Sequence, residues 1–230
     1  MGSSPLPTRG PDGTTSMSTA RQVEVVLIPG GPTAWDLEHR LSGQSDIPLA
    51  PTAVADLQRS LAGVGTPPSR VLCGPEEACR VLAKAACGQW GRSFKAYAEL
   101  RELGLGLWEG MRVEEAAQRY ASAFAAWRSD PASVMPTEGE SIEQARGRLL
   151  TKVAGVMSRV KTDETLAIVA RPMALEIIAA ACEERPITDL ASTFESAFGS
   201  AVESLLVRRI SVPGDRLKAY RPAAIKTFLM

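Results

Sequence analysis

Catalytic side chains are sparse in this chain of 230 residues, which holds one histidine, His39. A mechanism that needs two imidazoles is therefore closed to it. The cysteines, Cys73, Cys79, Cys87 and Cys182, show no C-x-x-C spacing. They read as reduced thiols of a cytoplasmic protein, and neither a metal ion nor a cofactor is expected. The stretch that most resembles a site is VEVVLIPGGPTAWD, Val23 to Asp36. Its apolar, β-branched run from Val23 to Ile28 predicts a buried strand. Pro29-Gly30-Gly31 ends the strand, and Pro32 is placed for the first turn of a helix. Backbone N–H groups and a positive helix end converge on anions at such junctions. No acid, base or nucleophile lies between Ile28 and Thr33.

The elements that would position such a site alternate along the chain. Thr33 to Leu41 predicts a short helix, and SGQSDIPLAP a polar loop. Val54, Leu57 and Leu61 mark an amphipathic helix closed by Gly63 and Gly65. Arg70 to Cys73 is a second short strand, turned by Gly74-Pro75 into a helix. There Ala78, Leu82, Ala85 and Ala86 face inwards, and Glu76 and Glu77 occupy the first turn, where the macrodipole favours carboxylates. Phe94 to Ala98 predicts another short strand. Residues 113 to 129 predict a helical region with Tyr120, Phe124 and Trp127 in the core. Ser141 followed by Gln144 resembles a capping box opening a long helix. Thr165 to Ala170 is a buried strand that turns through Arg171-Pro172 into a helix from Met173. Ser204 to Ile210 and Arg216 to Tyr220 predict an antiparallel hairpin at a sheet edge. The alternation predicts an α/β fold: a three-layer α/β/α sandwich with a mostly parallel sheet and an antiparallel edge strand.

Lys+Arg and Asp+Glu balance at 26 each, without a basic run, so neither nucleic acid nor an anionic membrane is an expected partner. No apolar segment approaches the roughly 20 residues of a membrane span. Residues 1–20, rich in Gly, Pro, Ser and Thr, read as a disordered tail. Residues 21–222 read as a single domain and 223–230 as a C-terminal tail.

In order and spacing, these blocks resemble the histidine phosphatase superfamily, with its phosphoglycerate-mutase-like fold, over roughly residues 23 to 221. Leu27 to Asp36 resembles the family's L-V-R-H-G-E-T-x-W-N block, and GQSDIPL its G-x-x-D-x-P-L loop. VLCGPEEAC stands where the family has a strand and S-S-P-x-x-R-A, and LRELGLGLWEG resembles the block holding its acid. Gly139 to Ser141 matches the turn before the long helix, and IVARPMAL stands where V-x-H-G-G would be. In that family a histidine attacks phosphorus, a second histidine and two arginines hold the phosphate, and a carboxylic acid protonates the leaving oxygen. The resemblance puts Pro29 at the first arginine, Gly30 at the nucleophile, Ala78 at the second arginine and Arg171 at the second histidine. It retains Glu102 as the acid, with Gly31 and Trp35 from the first block.

The resemblance thus implies a catalytically degenerate member, a pseudophosphatase acting by binding a protein partner or a small anionic ligand. Glu102 is read as a surviving acid or, preferred, as a carboxylate paired with Arg171. Arg171 either neutralises Glu102 or binds an anion with the Gly30 and Gly31 amides. The possible ligand contacts are Gly30, Gly31, Trp35, Ser42, Glu102 and Arg171. Ser42, Gln44 and Ser45 are otherwise expected as a solvated loop, Trp35 and Trp108 as packing near the pocket mouth, in the core in preference to stacking on a ligand, and His39 as exposed. Cys73 lacks a histidine to activate it and is expected to stay a thiol. Two other functions stay open. One is an enzyme with re-purposed chemistry on an anionic substrate, using Glu102 and Arg171, which needs a substrate-sized pocket. The other is an assembly subunit, pairing with itself as a homodimer or with an active paralogue.

Overall fold

A computed structural model describes residues 21–62, 64–161, 164–187, 190, 193 and 207–220. The predicted tails, Gly63 and residues 204–206 of the predicted hairpin lie outside the described residues. The sheet is built on β1 (Gln22–Pro29) and β4 (Thr165–Ala170), the two apolar runs of the sequence. They pair in parallel, with Leu27 against Ile168 and Pro29 against Ala170. β2 (Arg70–Cys73) joins the other side of β4, and the short β3 (Phe94–Ala96) forms one sheet edge. β5 (Arg208–Pro213) runs antiparallel to β1 and forms the other edge, giving the order β3-β2-β4-β1-β5.

Side chains alternate across the strands and create two cores. Val26, Ile28, Val71, Cys73, Ala167 and Val169 face α2 (Ala53–Leu61) and α3 (Glu77–Trp90). Val25, Leu27, Leu72, Leu166 and Ile168 face α6 (Ile142–Met157) and α7 (Pro172–Cys182). These are the three layers that the alternation of elements predicts. The Ser141–Gln144 capping box opens α6 with both reciprocal hydrogen bonds.

Several local expectations change. The first helix, α1, covers only Ala34–Leu37, with Thr33 as its N-cap, so Pro32 stands outside it after a cis Gly31–Pro32 peptide. Residues 113–129 form two helices, α4 (Val113–Arg119) and α5 (Ala121–Ser129), broken at Tyr120. Phe124 and Trp127 are buried there and Tyr120 is half-buried, all packed on Trp108. Trp108 therefore packs in the core, as expected in preference to ligand stacking. The predicted hairpin keeps only its first half: β5 pairs with β1, whereas Lys218–Tyr220 is a 3-10 turn. Among the described residues no helix is long and apolar enough to cross a membrane.

Candidate functional site

The strand registers bring three C-terminal ends to one level. Gly30 N–H donates to the Ala170 carbonyl and Gly74 N–H to the Val169 carbonyl, each at 2.8 Å. The amide of Gly30 is thus already committed to the backbone. Its Cα is committed too: a Cβ placed on Gly30 would lie 2.2 Å from Cys79 Sγ and 3.3 Å from the Ala170 oxygen. Ala78, one residue before that cysteine, is buried at the start of α3, and Pro29 is buried at the end of β1.

Arg171, the N-cap residue of α7, turns into this junction and is 2% exposed. Its guanidinium donates to Asp36 Oδ1 at 2.6 Å, to Ser42 Oγ at 2.9 Å, and to the Gly30 carbonyl. The expected pairing with Glu102 is therefore replaced by a buried ion pair with Asp36, which is 1% exposed. The reason lies in α1. Thr33 N and Thr33 Oγ1 donate to Asp36 Oδ2 at 2.7 and 2.8 Å, which leaves Oδ1 aimed at Arg171. Burial alone would lower the Arg171 pKa, but the charge and hydrogen bond of Asp36 more than offset it and hold it above its ordinary value. Asp36 is the site residue that reading the sequence overlooked. Its signal was present in the Thr33-x-x-Asp36 capping box.

Glu102 fills the other half of the junction. Oε1 accepts from Leu103 N and Ala174 N at 2.8 and 2.7 Å, and Oε2 accepts from Met173 N at 3.1 Å. Pro172, at the first position of α7, has no N–H. The donors at the start of that helix thus meet an internal carboxylate. Burial pushes the Glu102 pKa up to about 7, against the lowering effects of the Arg171 charge and of the amides. Glu76 is buried as the N-cap residue of α3, and its Oε1 accepts from Glu102 N at 2.8 Å. The first N–H of α3, on Glu77, donates instead to Asp46 of the GQSDIPL loop, at 2.7 Å.

The other candidates separate. Ser42 is buried on Arg171. Gln44 and Ser45 do not form a solvated loop: Gln44 N and Ser45 Oγ donate to Glu109, and Gln44 Nε2 donates to the Glu102 carbonyl. Gly31 is buried beside Pro32. Trp35 is half-buried with its indole against Gly110, where an added Cβ would lie 3.2 Å from the ring. His39 is exposed, with a φ of 55°. Burial pushes the Cys73 thiol up to about 12, so it remains protonated. Among the described residues no cluster of His, Cys, Asp and Glu could hold a metal ion.

This α/β sandwich, with its site at the carboxyl ends of parallel strands, defines a class of phosphoglycerate-mutase-like proteins. The chain belongs to the histidine phosphatase superfamily (branch 1), whose family model matches residues 25–197. It is similar in structure to mycobacterial hydrolase 1, with a TM-score of 0.67 and 21% identity over 84% of this chain and 92% of that one. YhfR of Bacillus stearothermophilus is similar with a TM-score of 0.63 and 26% identity, over 71% of this chain and 81% of that one. The mycobacterial glucosyl-3-phosphoglycerate phosphatase in complex with VO3 is similar with a TM-score of 0.65 and 21% identity, over 83% and 97%. A comparison with curated protein sequences finds no match.

Proposed function

We propose that this chain is a non-catalytic histidine-phosphatase-like protein that works by binding, in a cytoplasmic setting that suits its free, buried cysteines. The observation that carries the reading is the closed junction. Arg171 is engaged by Asp36, Ser42 and the Gly30 carbonyl, while Glu102 takes the first amides of α7. A phosphohistidine needs an imidazole nitrogen at the nucleophile position. Gly30 has no side chain, and Cys79 occupies the space where one would start. Loss of a single donor to a developing oxyanion costs about 2.7–4 kcal/mol in barrier. Pro29 and Ala78 supply no cation here, and Glu76 and Glu102 add carboxylates.

The same contacts argue against re-purposed chemistry, because both carboxylate oxygens of Glu102 and both terminal nitrogens of the Arg171 guanidinium are hydrogen-bonded within the protein. Pairing through exposed apolar surface has little support. The large exposed apolar side chains among the described residues are Leu37, Val81, Leu107 and Met135, none on α4, α5 or β5. A partner protein that reads the outer surface is the reading left.

The test is hydrolysis of p-nitrophenyl phosphate by pure protein, together with thermal melts in inorganic phosphate. No turnover above the buffer rate and an unchanged melting temperature are expected. A ligand at a hundred times its dissociation constant would stabilise by about 2.7 kcal/mol. Turnover that disappears in Arg171→Ala would overturn the proposal.

A further inference from the structure

At the β3 edge of the sheet, a groove of about 670 Å³ runs between that strand and α6. Its α6 wall carries Gly147, Thr151 and Gly155, spaced by one helical turn, and a Cβ placed on either glycine would meet nothing within 4 Å. The opposite wall is the edge strand and Tyr97. Tyr97 N–H donates inwards to the Cys73 carbonyl at 2.9 Å, as the parallel register with β2 requires. Successive residues present their backbone groups to opposite edges, so the N–H and C=O of Ala96 face outwards. Lys95, Arg148, Lys152 and Arg159 line the groove with Glu99. Arg148 pairs with Glu140 and Lys152 with Glu99, so its surplus positive charge comes from Lys95 and Arg159, which make no ion pair among the described residues. The ammonium groups of Lys95 and Lys152 lie 5.3 and 4.2 Å from the centre of the Tyr97 ring, which holds both beside the edge.

We infer that this groove docks an acidic segment of a partner protein, in extended conformation, as an added strand on β3. Main-chain hydrogen bonds to Ala96 supply the pairing. Alternate acidic side chains, those on the α6 face, meet Lys95 and Arg159, and Gly147 and Gly155 on the α6 wall leave them room. A second copy of this chain fits less well. A two-fold pairing of the three-residue β3 would place Lys95 near Lys95 of the other copy, and like charges opposite one another across strands destabilise. The inference rests on the binding reading above for its need of a partner, but it shares no residue with the closed junction.

The test uses the full chain and fluorescein-labelled peptides of alternating Glu and Val or alternating Lys and Val, followed by anisotropy at low and high salt. The acidic peptide is expected to bind and the basic one not, with affinity falling as salt rises. Lys95→Glu combined with Arg159→Glu is expected to weaken binding by about tenfold or more. Gly155→Leu fills the groove while favouring the helix, and is expected to weaken binding similarly without lowering the melting temperature. Amide exchange at Ala96 should slow in the complex. Equal binding of both peptides, no binding of the acidic one, no effect of either variant, or self-association through this edge in sedimentation would each overturn the inference. Aryl phosphate turnover would overturn the non-catalytic reading and leave these results untouched.

Discussion

Arg171 Nη2 lies 2.6 Å from Asp36 Oδ1, and both side chains are almost fully withdrawn from water. A residue at the start of α7 is thereby locked to one in α1, across the end of β1. Removing one partner of a buried pair leaves an uncompensated charge and costs about 3–5 kcal/mol. Asp36→Ala and Arg171→Met are each expected to lose stability on that scale in urea unfolding. The double variant should lose clearly less than the sum. Additive losses would show that the pair is not coupled.

Glu102 sets a pH dependence. Burial raises its pKa from 4.5 to about 7, so the folded protein holds a proton that the unfolded chain has released. Its contribution is complete below about pH 4.5 and is lost as the pH rises through about 7. Glu102→Gln cannot titrate. The difference in unfolding free energy between parent and variant should therefore move against the parent across this window. A constant difference would contradict the raised value.

Gly30 and Cys79 are expected to behave as one packing unit. Gly30→Ala drives a methyl group into the Cys79 sulfur, and overpacking of this kind costs about 1–3 kcal/mol. Adding Cys79→Ala should recover part of that loss in thermal melts. If Gly30→Ala alone is neutral, the junction is looser than the contacts indicate.

The thiols should be inert in the native state. Cys73, Cys79, Cys87 and Cys182 are all buried. Burial raises each of their pKa values, to about 12 for Cys73 and Cys182. Since the thiolate is the reactive form, Ellman's reagent is expected to react slowly with folded protein and rapidly with all four in denaturant. A fast-reacting thiol in the native state would reveal an opening that reaches the site.

By itself, the sequence determined the elements and the layers. The apolar runs of β1 and β4 can be satisfied only inside a sheet, and the Ser141–Gln144 box marks the start of α6 through contacts three residues apart. The solitary histidine and the bare Gly30 also limit the chemistry before any fold is known. The tertiary structure alone decided the partners. Arg171 and Asp36 are 135 positions apart and meet because β1 and β4 end in register at Pro29 and Ala170. Glu102 is within reach of Arg171's charge, yet its carboxylate bonds the amides of Met173 and Ala174 at the start of α7, while Arg171 bonds Asp36. Local patterns report periodicity and caps. Which buried charge faces which depends on strand register and helix position, and no short stretch of sequence encodes either.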